Sequence, residues 1–211
     1  RSNLSDNGEI TEPKYPNDSL EIADCGSPVT NFEIEIRDTK GNKTKDCQVG
    51  HIWWKSPSLT SGYIGSEEIN KREFVDDWFN SGDLGYLKND HLFVTGRHKE
   101  LVIIRGQNYI PTDFEVIATQ IEGVKEGRVV AFGDVDDETG SEELILVCGI
   151  DITAGHDQAT LAASIKSLVA EKTGIAPYKI QFIPHNMMPR TTGGKLQRLK
   201  VKKLYISMKQ Q

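Results

Sequence analysis

The order of apolar segments along residues 98–211 constrains the fold more than any other feature of the sequence. Four runs rich in valine, isoleucine and leucine predict strands at residues 101–104, 127–135, 143–152 and 180–183. One amphipathic helix is predicted after the first strand, a second before the fourth, and a third at 197–208. The order strand, helix, strand, strand, helix, strand predicts a compact α+β domain, with a small sheet flanked by helices.

Capping residues mark the first two helices. Thr112, with Glu115 three positions later, predicts a capping box at the start of the first helix. Asp157 and Gly174 predict the start and the end of the second. Apolar residues repeat at helical spacing in both helices: Phe114, Ile117, Ala118 and Ile121 in the first, and Leu161, Ile165, Leu168 and Val169 in the second.

Residues 1–97 have a different pattern, which predicts a small β-rich unit. Apolar and charged side chains alternate at 32–36, which predicts a half-buried strand before a turn at 38–42. Further short strands are predicted at 49–54 and 92–95. Residues 1–20 are polar and rich in turn formers, so we expect them to be flexible. We therefore predict two domains, residues 1–97 and residues 98–211.

The composition is typical of an ordinary soluble protein. Of the 211 residues, 37% are hydrophobic and 27% are charged. The longest apolar stretch, residues 144–150, is far too short to span a bilayer, and no signal segment follows Arg1. The three cysteines are widely spaced, which suits a reducing compartment better than a disulfide framework. We therefore expect a cytoplasmic protein without a transmembrane segment.

Basic residues are concentrated near the end of the sequence. Seven of the 25 Lys and Arg residues, and none of the 31 Asp and Glu residues, lie from residue 190 onward. Such a segment could bind nucleic acid or an acidic membrane, or it could be a solvated helix face with one functional lysine. We favour the solvated face and expect no nucleic-acid partner. The five histidines show no ligand spacing, so we expect no metal site.

Two loops of small and charged residues predict chemistry on an anionic substrate. Residues 189–195 place Lys195 at the tip of a Thr/Gly-rich loop, between a strand and the basic helix. Residues 96–111 form the second loop region, which includes Gly106. Such loops bring a cation and backbone N–H groups close to a phosphate or a carboxylate.

Taken together, the ordered motifs resemble the carboxyl-terminal part of the adenylate-forming enzymes, which include acyl-CoA synthetases, peptide-synthetase adenylation domains and luciferases. The fatty acyl-AMP ligases resemble the chain most closely. The resemblance runs from about residue 25 to about residue 205, and the large amino-terminal part of such enzymes has no counterpart here. The motifs are GHIW at 50–53, SPS at 56–58, GY at 62–63, SGDLG at 81–85, GRHKE at 96–100, RGQNYIP at 105–111 and PRTTGGK at 189–195.

The resemblance implies that three residues act in adenylation. Lys195 takes the position of the catalytic lysine, whose ammonium lies between a carboxylate and the α-phosphate; the alternative is an ordinary surface lysine. Asp83, in the turn predicted at 81–85, is expected to bind the ribose hydroxyls of the nucleotide, or else to shape the turn. Arg97 is expected to contact the nucleotide, or else to form a plain salt bridge.

Three further residues resemble family positions that serve a second reaction step. Lys99 takes the position of the hinge about which the carboxyl-terminal domain pivots, and the alternative is a surface lysine. Gly106 is expected to let the backbone approach a ligand closely. Asn108, where CoA-using relatives commonly have arginine, could line the acceptor channel or simply adopt left-handed geometry in a turn.

The resemblance therefore implies an ATP-dependent fatty acyl-AMP ligase, in which residues 1–97 are the remnant of the large amino-terminal domain. The substrates would be a fatty acid and ATP with Mg²⁺. The acceptor would be the phosphopantetheine of an acyl carrier protein. The candidate contacts for the acidic surface of that carrier are Lys179, Arg198, Lys200 and Lys202. One alternative is a fatty acyl-CoA synthetase that uses CoA, and another is a non-catalytic interaction module.

Overall fold

The computed structural model describes residues 8–10, 22–135 and 142–209. Contacts divide the chain into two compact units, Arg1–Lys99 and Glu100–Gln211. The segment expected to be flexible, residues 1–20, lies outside the described residues except at 8–10, where Glu9 forms an isolated bridge with Gln48. Within the described ranges, no helix is both long enough and apolar enough to cross a membrane.

The first unit is built on an antiparallel sheet. Its elements are β1 (Glu33–Arg37), β2 (Gly50–Lys55), α1 (Glu67–Glu73), β3 (Phe74–Val75), β4 (Trp78–Lys88) and β5 (His91–Arg97). The strand order is β1-β2-β4-β3, and β5 also pairs with β4. The strands predicted at 32–36, 49–54 and 92–95 correspond to β1, β2 and β5. The sequence analysis missed α1 and β4, the longest strand of this sheet.

The turn predicted at 81–85 is wrong, because these residues lie inside β4. The register between β2 and β4 shifts opposite Ile52. There, the Ser81 hydroxyl donates to the Ile52 carbonyl at 3.0 Å and accepts from the Asp83 N–H at 3.1 Å. Gly82 has a φ of 76°, in the left-handed region that favours glycine. The turn-forming residues thus make a bulge that bends the strand without ending it.

The second unit is an α+β domain, as the sequence predicted. Strands β6 (Val102–Ile104) and β7 (Gln107–Tyr109) form a hairpin, followed by α2 (Pro111–Ala118). The remaining elements of this unit are β8 (Val124–Val135), β9 (Glu142–Ile150), α3 (Gln158–Thr173), β10 (Lys179–Pro184) and α4 (Arg198–Lys209). The last three strands form a sheet in the order β10-β9-β8, in which β8 and β9 are antiparallel and β9 and β10 are parallel.

The helix ends agree with the sequence in one case and not in the other. Asp157 caps α3 by accepting hydrogen bonds from the N–H groups of Ala159 and Thr160, and left-handed Gly174 ends the helix. The capping box at Thr112 is wrong, because α2 starts with Pro111 at its first position and has no side-chain cap. The carboxylate of Glu115 instead accepts the N–H of Ala131 at 2.7 Å.

Helices cover both faces of the three-stranded sheet. Alternate residues of β9 point to opposite sides, as expected for a strand that is buried on both faces. One cluster packs against α2 and α3 and includes Leu144, Leu146, Cys148, Phe114, Ile117, Ile165 and Val169. The other packs against α4 and includes Ile145, Val147, Phe132, Val201 and Tyr205. The loop that carries Lys195 is therefore the connection into a helix that is anchored in its own core cluster.

Candidate functional site

The segment that carries Lys195 is a tight hairpin. The Thr191 N–H donates to the Lys195 carbonyl at 2.8 Å, and the Lys195 N–H donates to the Thr191 hydroxyl at 3.1 Å. Gly194, whose φ is 84°, closes the turn by donating its N–H to the Thr191 carbonyl at 2.9 Å. An isolated bridge joins Arg190 to Leu196. Because these bonds are made by the backbone and by Thr191, the exposed Lys195 ammonium is presented to solvent by an ordered loop.

Two arginines attach the ends of this hairpin to β8. At one end, Arg190 Nη2 donates to the Gly127 carbonyl at 2.5 Å. At the other, Arg198 Nη1 donates to the Ala131 carbonyl at 2.7 Å and also binds the carboxylate of Glu115. The sequence analysis missed these braces, since no spacing rule connects residues that are more than sixty positions apart.

Arg198 is also paired with Glu100, the first residue of the second unit. Its Nε lies 3.0 Å from Glu100 Oε2, and the Arg198 side chain is only 17% exposed. Burial opposes the charge of the guanidinium. Hydrogen bonds and charges from Glu115 and Glu100 outweigh that cost and raise the pKa of Arg198 above its ordinary value.

Asp83 and Arg97 lie opposite each other on β4 and β5 and form an ion pair. They are cross-strand partners, and Arg97 Nε donates to Asp83 Oδ1 at 2.8 Å. The Arg97 side chain is 63% exposed and that of Asp83 is 30% exposed, so both remain accessible to a ligand. The structure thus brings together the two side chains that the sequence assigned to nucleotide binding.

Lys99 lies in the short 3₁₀ turn His98–Glu100 and is exposed. The division between the two units falls directly after it. The neighbouring His98 ring lies 4.7 Å from the ring of His51, measured between centroids. Burial first, and then the charge of His98, lowers the pKa of His51, while Glu73 opposes that shift.

Gly106 and Asn108 lie on the β6–β7 hairpin, whose segment 105–108 is exposed. Arg105 and Gly106 form its turn, with φ angles of 52° and 76°. A side chain at Gly106 would meet nothing within 4 Å, so the backbone angle is what requires glycine there. Asn108 is not in a left-handed turn: it pairs with Ile103 in the ladder, and both are exposed. The left-handed role weighed for Asn108 is therefore wrong, and Arg105 has that geometry instead.

The basic side chains considered as carrier contacts differ in their availability. Arg198 is committed to carboxylates within the unit and is not a surface contact. Lys202 Nζ donates to the Gly133 carbonyl at 2.5 Å, and Lys179 lies over the Tyr205 ring at 5.6 Å. Lys200 is exposed on α4. Across residues 8–10, 22–135 and 142–209, no group of three or more His, Cys, Asp or Glu side chains could hold a metal ion.

The chain is similar to several known ligases, although no family model matches it. It is 35% identical over 191 residues to the 2-succinylbenzoate–CoA ligase of Listeria monocytogenes, a match that covers 89% of this chain and 36% of the relative. It is 33% identical, with a TM-score of 0.80, to a structure of fatty acyl-adenylate ligases from E. coli and L. pneumophila. That match covers 96% of this chain and 36% of that one.

A third match is the structure of McyG A-PCP with phenylalanyl-adenylate, at 32% identity and a TM-score of 0.78. It covers 88% of this chain and 34% of that one. The chain thus spans about a third of the length of the curated relatives that it matches.

Proposed function

We infer the function from the family: the chain belongs to the adenylate-forming enzymes and matches their carboxyl-terminal part. We propose that it is the carboxyl-terminal part of an ATP-dependent fatty acyl-AMP ligase. By the complete ligase we mean this chain preceded by the amino-terminal part that its relatives carry. This ligase would join a fatty acid to AMP and release pyrophosphate. It would then transfer the acyl group to the phosphopantetheine thiol of an acyl carrier protein. The similarity to fatty acyl-adenylate ligases supports this choice of acid.

The observation that carries the proposal is the exposed Lys195 ammonium on a braced hairpin, in a chain that matches this family. In adenylation a carboxylate oxygen forms a bond to the α-phosphorus of ATP, and the bond from that phosphorus to pyrophosphate breaks. Both reactants are anionic and repel each other. A cation placed between them offsets the repulsion and stabilises the charge that develops in the transition state. ATP enters as its Mg²⁺ complex, which is a substrate.

The nucleotide would be held by the Asp83–Arg97 pair. A carboxylate can accept hydrogen bonds from two ribose hydroxyls, and the guanidinium of Arg97 has further donors beyond the Nε that binds Asp83. The 2.8 Å bond between the two side chains fixes the carboxylate in place before the nucleotide arrives. Such preorganisation reduces the entropy that binding has to offset.

The two half-reactions would use different faces of the second unit. Lys195 would serve adenylation, and the face around Gly106 and Asn108 would serve acyl transfer after a rotation about Lys99. The division of the chain directly after Lys99 supports a hinge at this residue. The exposure of residues 105–108 at the turn of this hairpin supports a role in meeting an acceptor.

The acceptor distinguishes the two candidate functions. The neutral Asn108 supports a carrier protein, because CoA brings several phosphates that call for cations. A fatty acyl-CoA synthetase is the second candidate. The exposed Arg105 on the same hairpin and the similarity to a CoA ligase favour it.

One competition experiment separates these candidates. The complete ligase is given pre-made acyl-AMP with equimolar CoA and holo-carrier, and both thioesters are quantified. We expect the carrier thioester to form faster, with a rate that falls as salt rises. If acyl-CoA forms faster, and if Arg105→Gln slows its formation, the chain would be assigned to the synthetases. Pyrophosphate exchange across a panel of fatty acids tests the acid, and exchange with aryl acids only would contradict a fatty acid substrate.

A further inference from the structure

Arg198 is a largely buried arginine that binds several groups of the second unit. It lies at the first residue of α4, three positions after Lys195, and its side chain is 17% exposed. It binds three groups from separate parts of the second unit: Glu100 after the unit boundary, Glu115 on α2, and the Ala131 carbonyl on β8.

Glu115 binds both Arg198 and the strand residue Ala131. This carboxylate accepts the Ala131 N–H, while the guanidinium takes the Ala131 carbonyl, so both polar groups of one strand residue are bound. A lysine could not make these contacts together, because only the planar fork of arginine offers several donors in fixed directions. Partly buried ion pairs of this kind contribute little net stability compared with apolar packing, and their best-supported use is to fix geometry.

These contacts fix the geometry of the hairpin at residues 190–196, which carries Lys195 and is called the lysine hairpin below. Leu196 pairs with Arg190, and the Gln197 N–H donates to the Pro189 carbonyl at 3.0 Å, so the two residues between Lys195 and Arg198 have little freedom. An anchor at Arg198 therefore sets the position of Lys195 relative to the sheet.

We propose that Arg198 is a positioning residue for Lys195, which locks the lysine hairpin to β8, α2 and the segment after the unit boundary so that the hairpin turns with its unit as one body. This inference rests on the proposed role of Lys195 in adenylation. Arg198 itself touches no substrate and acts only through the hairpin.

Amide hydrogen exchange on the 211-residue chain tests the mechanical part of this proposal. The variant is Arg198→Lys, which keeps the charge but loses the fork. The matched control is Lys200→Gln, an exposed position on the same helix. Loss of charge-assisted hydrogen bonds should speed exchange at the Thr191, Gly194 and Lys195 amides roughly tenfold or more. Core amides of β9 should keep their protection, and the control should change neither set.

Kinetics of the complete ligase test the functional part. Arg198→Lys should lower kcat for acyl-AMP formation about tenfold with the KM for ATP unchanged, because the lysine is misplaced while the Asp83–Arg97 pair is intact. If exchange at the amides of the lysine hairpin and of β9 speeds up equally, the variant has lost stability in general and the proposal is overturned. Unchanged exchange in the lysine hairpin would also overturn it.

The two proposals fail in different ways. If Lys195→Ala leaves adenylation unchanged, the proposed function is wrong whatever the exchange data show. If Lys195→Ala abolishes adenylation while Arg198→Lys alters neither kcat nor hairpin exchange, only the positioning role is wrong.

Discussion

Replacing Asp83 by asparagine should separate nucleotide binding from folding in this protein. Asparagine keeps the size of the side chain and an oxygen that can accept the Arg97 Nε hydrogen bond, now 2.8 Å long. What is lost is the negative charge. With side chains 63% and 30% exposed, the ion pair is largely screened by water and contributes under about 1 kcal/mol to the free energy of unfolding.

The expected effect on the nucleotide is larger. Hydrogen bonds to a charged group contribute about 1.5–3 kcal/mol, which corresponds to roughly a 12- to 150-fold loss of affinity when the charge is removed. Asp83→Asn should therefore weaken AMP binding to the complete ligase by about that factor, while urea unfolding of the first unit changes by less than about 1 kcal/mol.

The assay is isothermal titration with AMP alongside urea unfolding of the 211-residue chain. The matched control is Asp77→Asn, which removes the carboxylate of another surface ion pair in the same unit, 3.2 Å from Lys55. The control should leave AMP affinity unchanged. A destabilised first unit with unaltered AMP affinity would show that Asp83 and Arg97 form a plain structural salt bridge and do not bind the nucleotide.

Three further predictions follow from other parts of the structure. The 211-residue chain alone should form no acyl-AMP from ATP and a fatty acid, because it spans about a third of its relatives; robust formation in a pyrophosphate-release assay would contradict this. Burial, and next the charge of Glu115, raise the pKa of the Cys148 thiol to about 12, so Cys148 should resist alkylation at pH 8 while the exposed Cys25 reacts, as peptide mapping would show. The lowered pKa of His51 means that the unfolded chain takes up this proton at a higher pH than the folded chain. The free energy of unfolding should therefore fall as pH drops from about 6.5 towards the lowered pKa, and His51→Gln should flatten that slope in urea titrations at pH 7.5 and 5.5.

Local patterns predicted most elements of the second unit, whereas tertiary contacts explain the errors at Asp83 and Thr112. The apolar stripe of α3 and its Asp157 cap are local signals, and the structure has both. The turn predicted at Asp83 failed because its residues are typical of turns, while the partner strand that turns them into a bulge lies some thirty positions away. The capping box at Thr112 failed because the helix begins at Pro111, one residue before Thr112, and the Glu115 carboxylate binds Ala131 and Arg198 instead.

The candidate site shows the same division. Lys195, Asp83 and Arg97 were identified from motifs, but their order in the sequence does not indicate that Asp83 and Arg97 form a bonded pair across two strands. In the sequence Arg198 is one more charge on a basic helix, because its carboxylate partners, Glu100 and Glu115, lie 98 and 83 positions away. Sequence patterns identify the groups that can carry chemistry, whereas the residues that hold them are set by tertiary contacts.

We propose that Lys195 acts in adenylation and not in acyl transfer, and a single-turnover comparison of the two half-reactions distinguishes these steps. In the complete ligase, Lys195→Ala should slow acyl-AMP formation by about 10²-fold or more, the scale of losing one preorganised electrostatic contact. The rate of transfer from supplied acyl-AMP to the holo-carrier should change by less than about threefold, because a lysine positioned for adenylation does not contact the reacting groups in acyl transfer. Equal losses in both half-reactions, or no loss in the first, would show that Lys195 does not act specifically in adenylation.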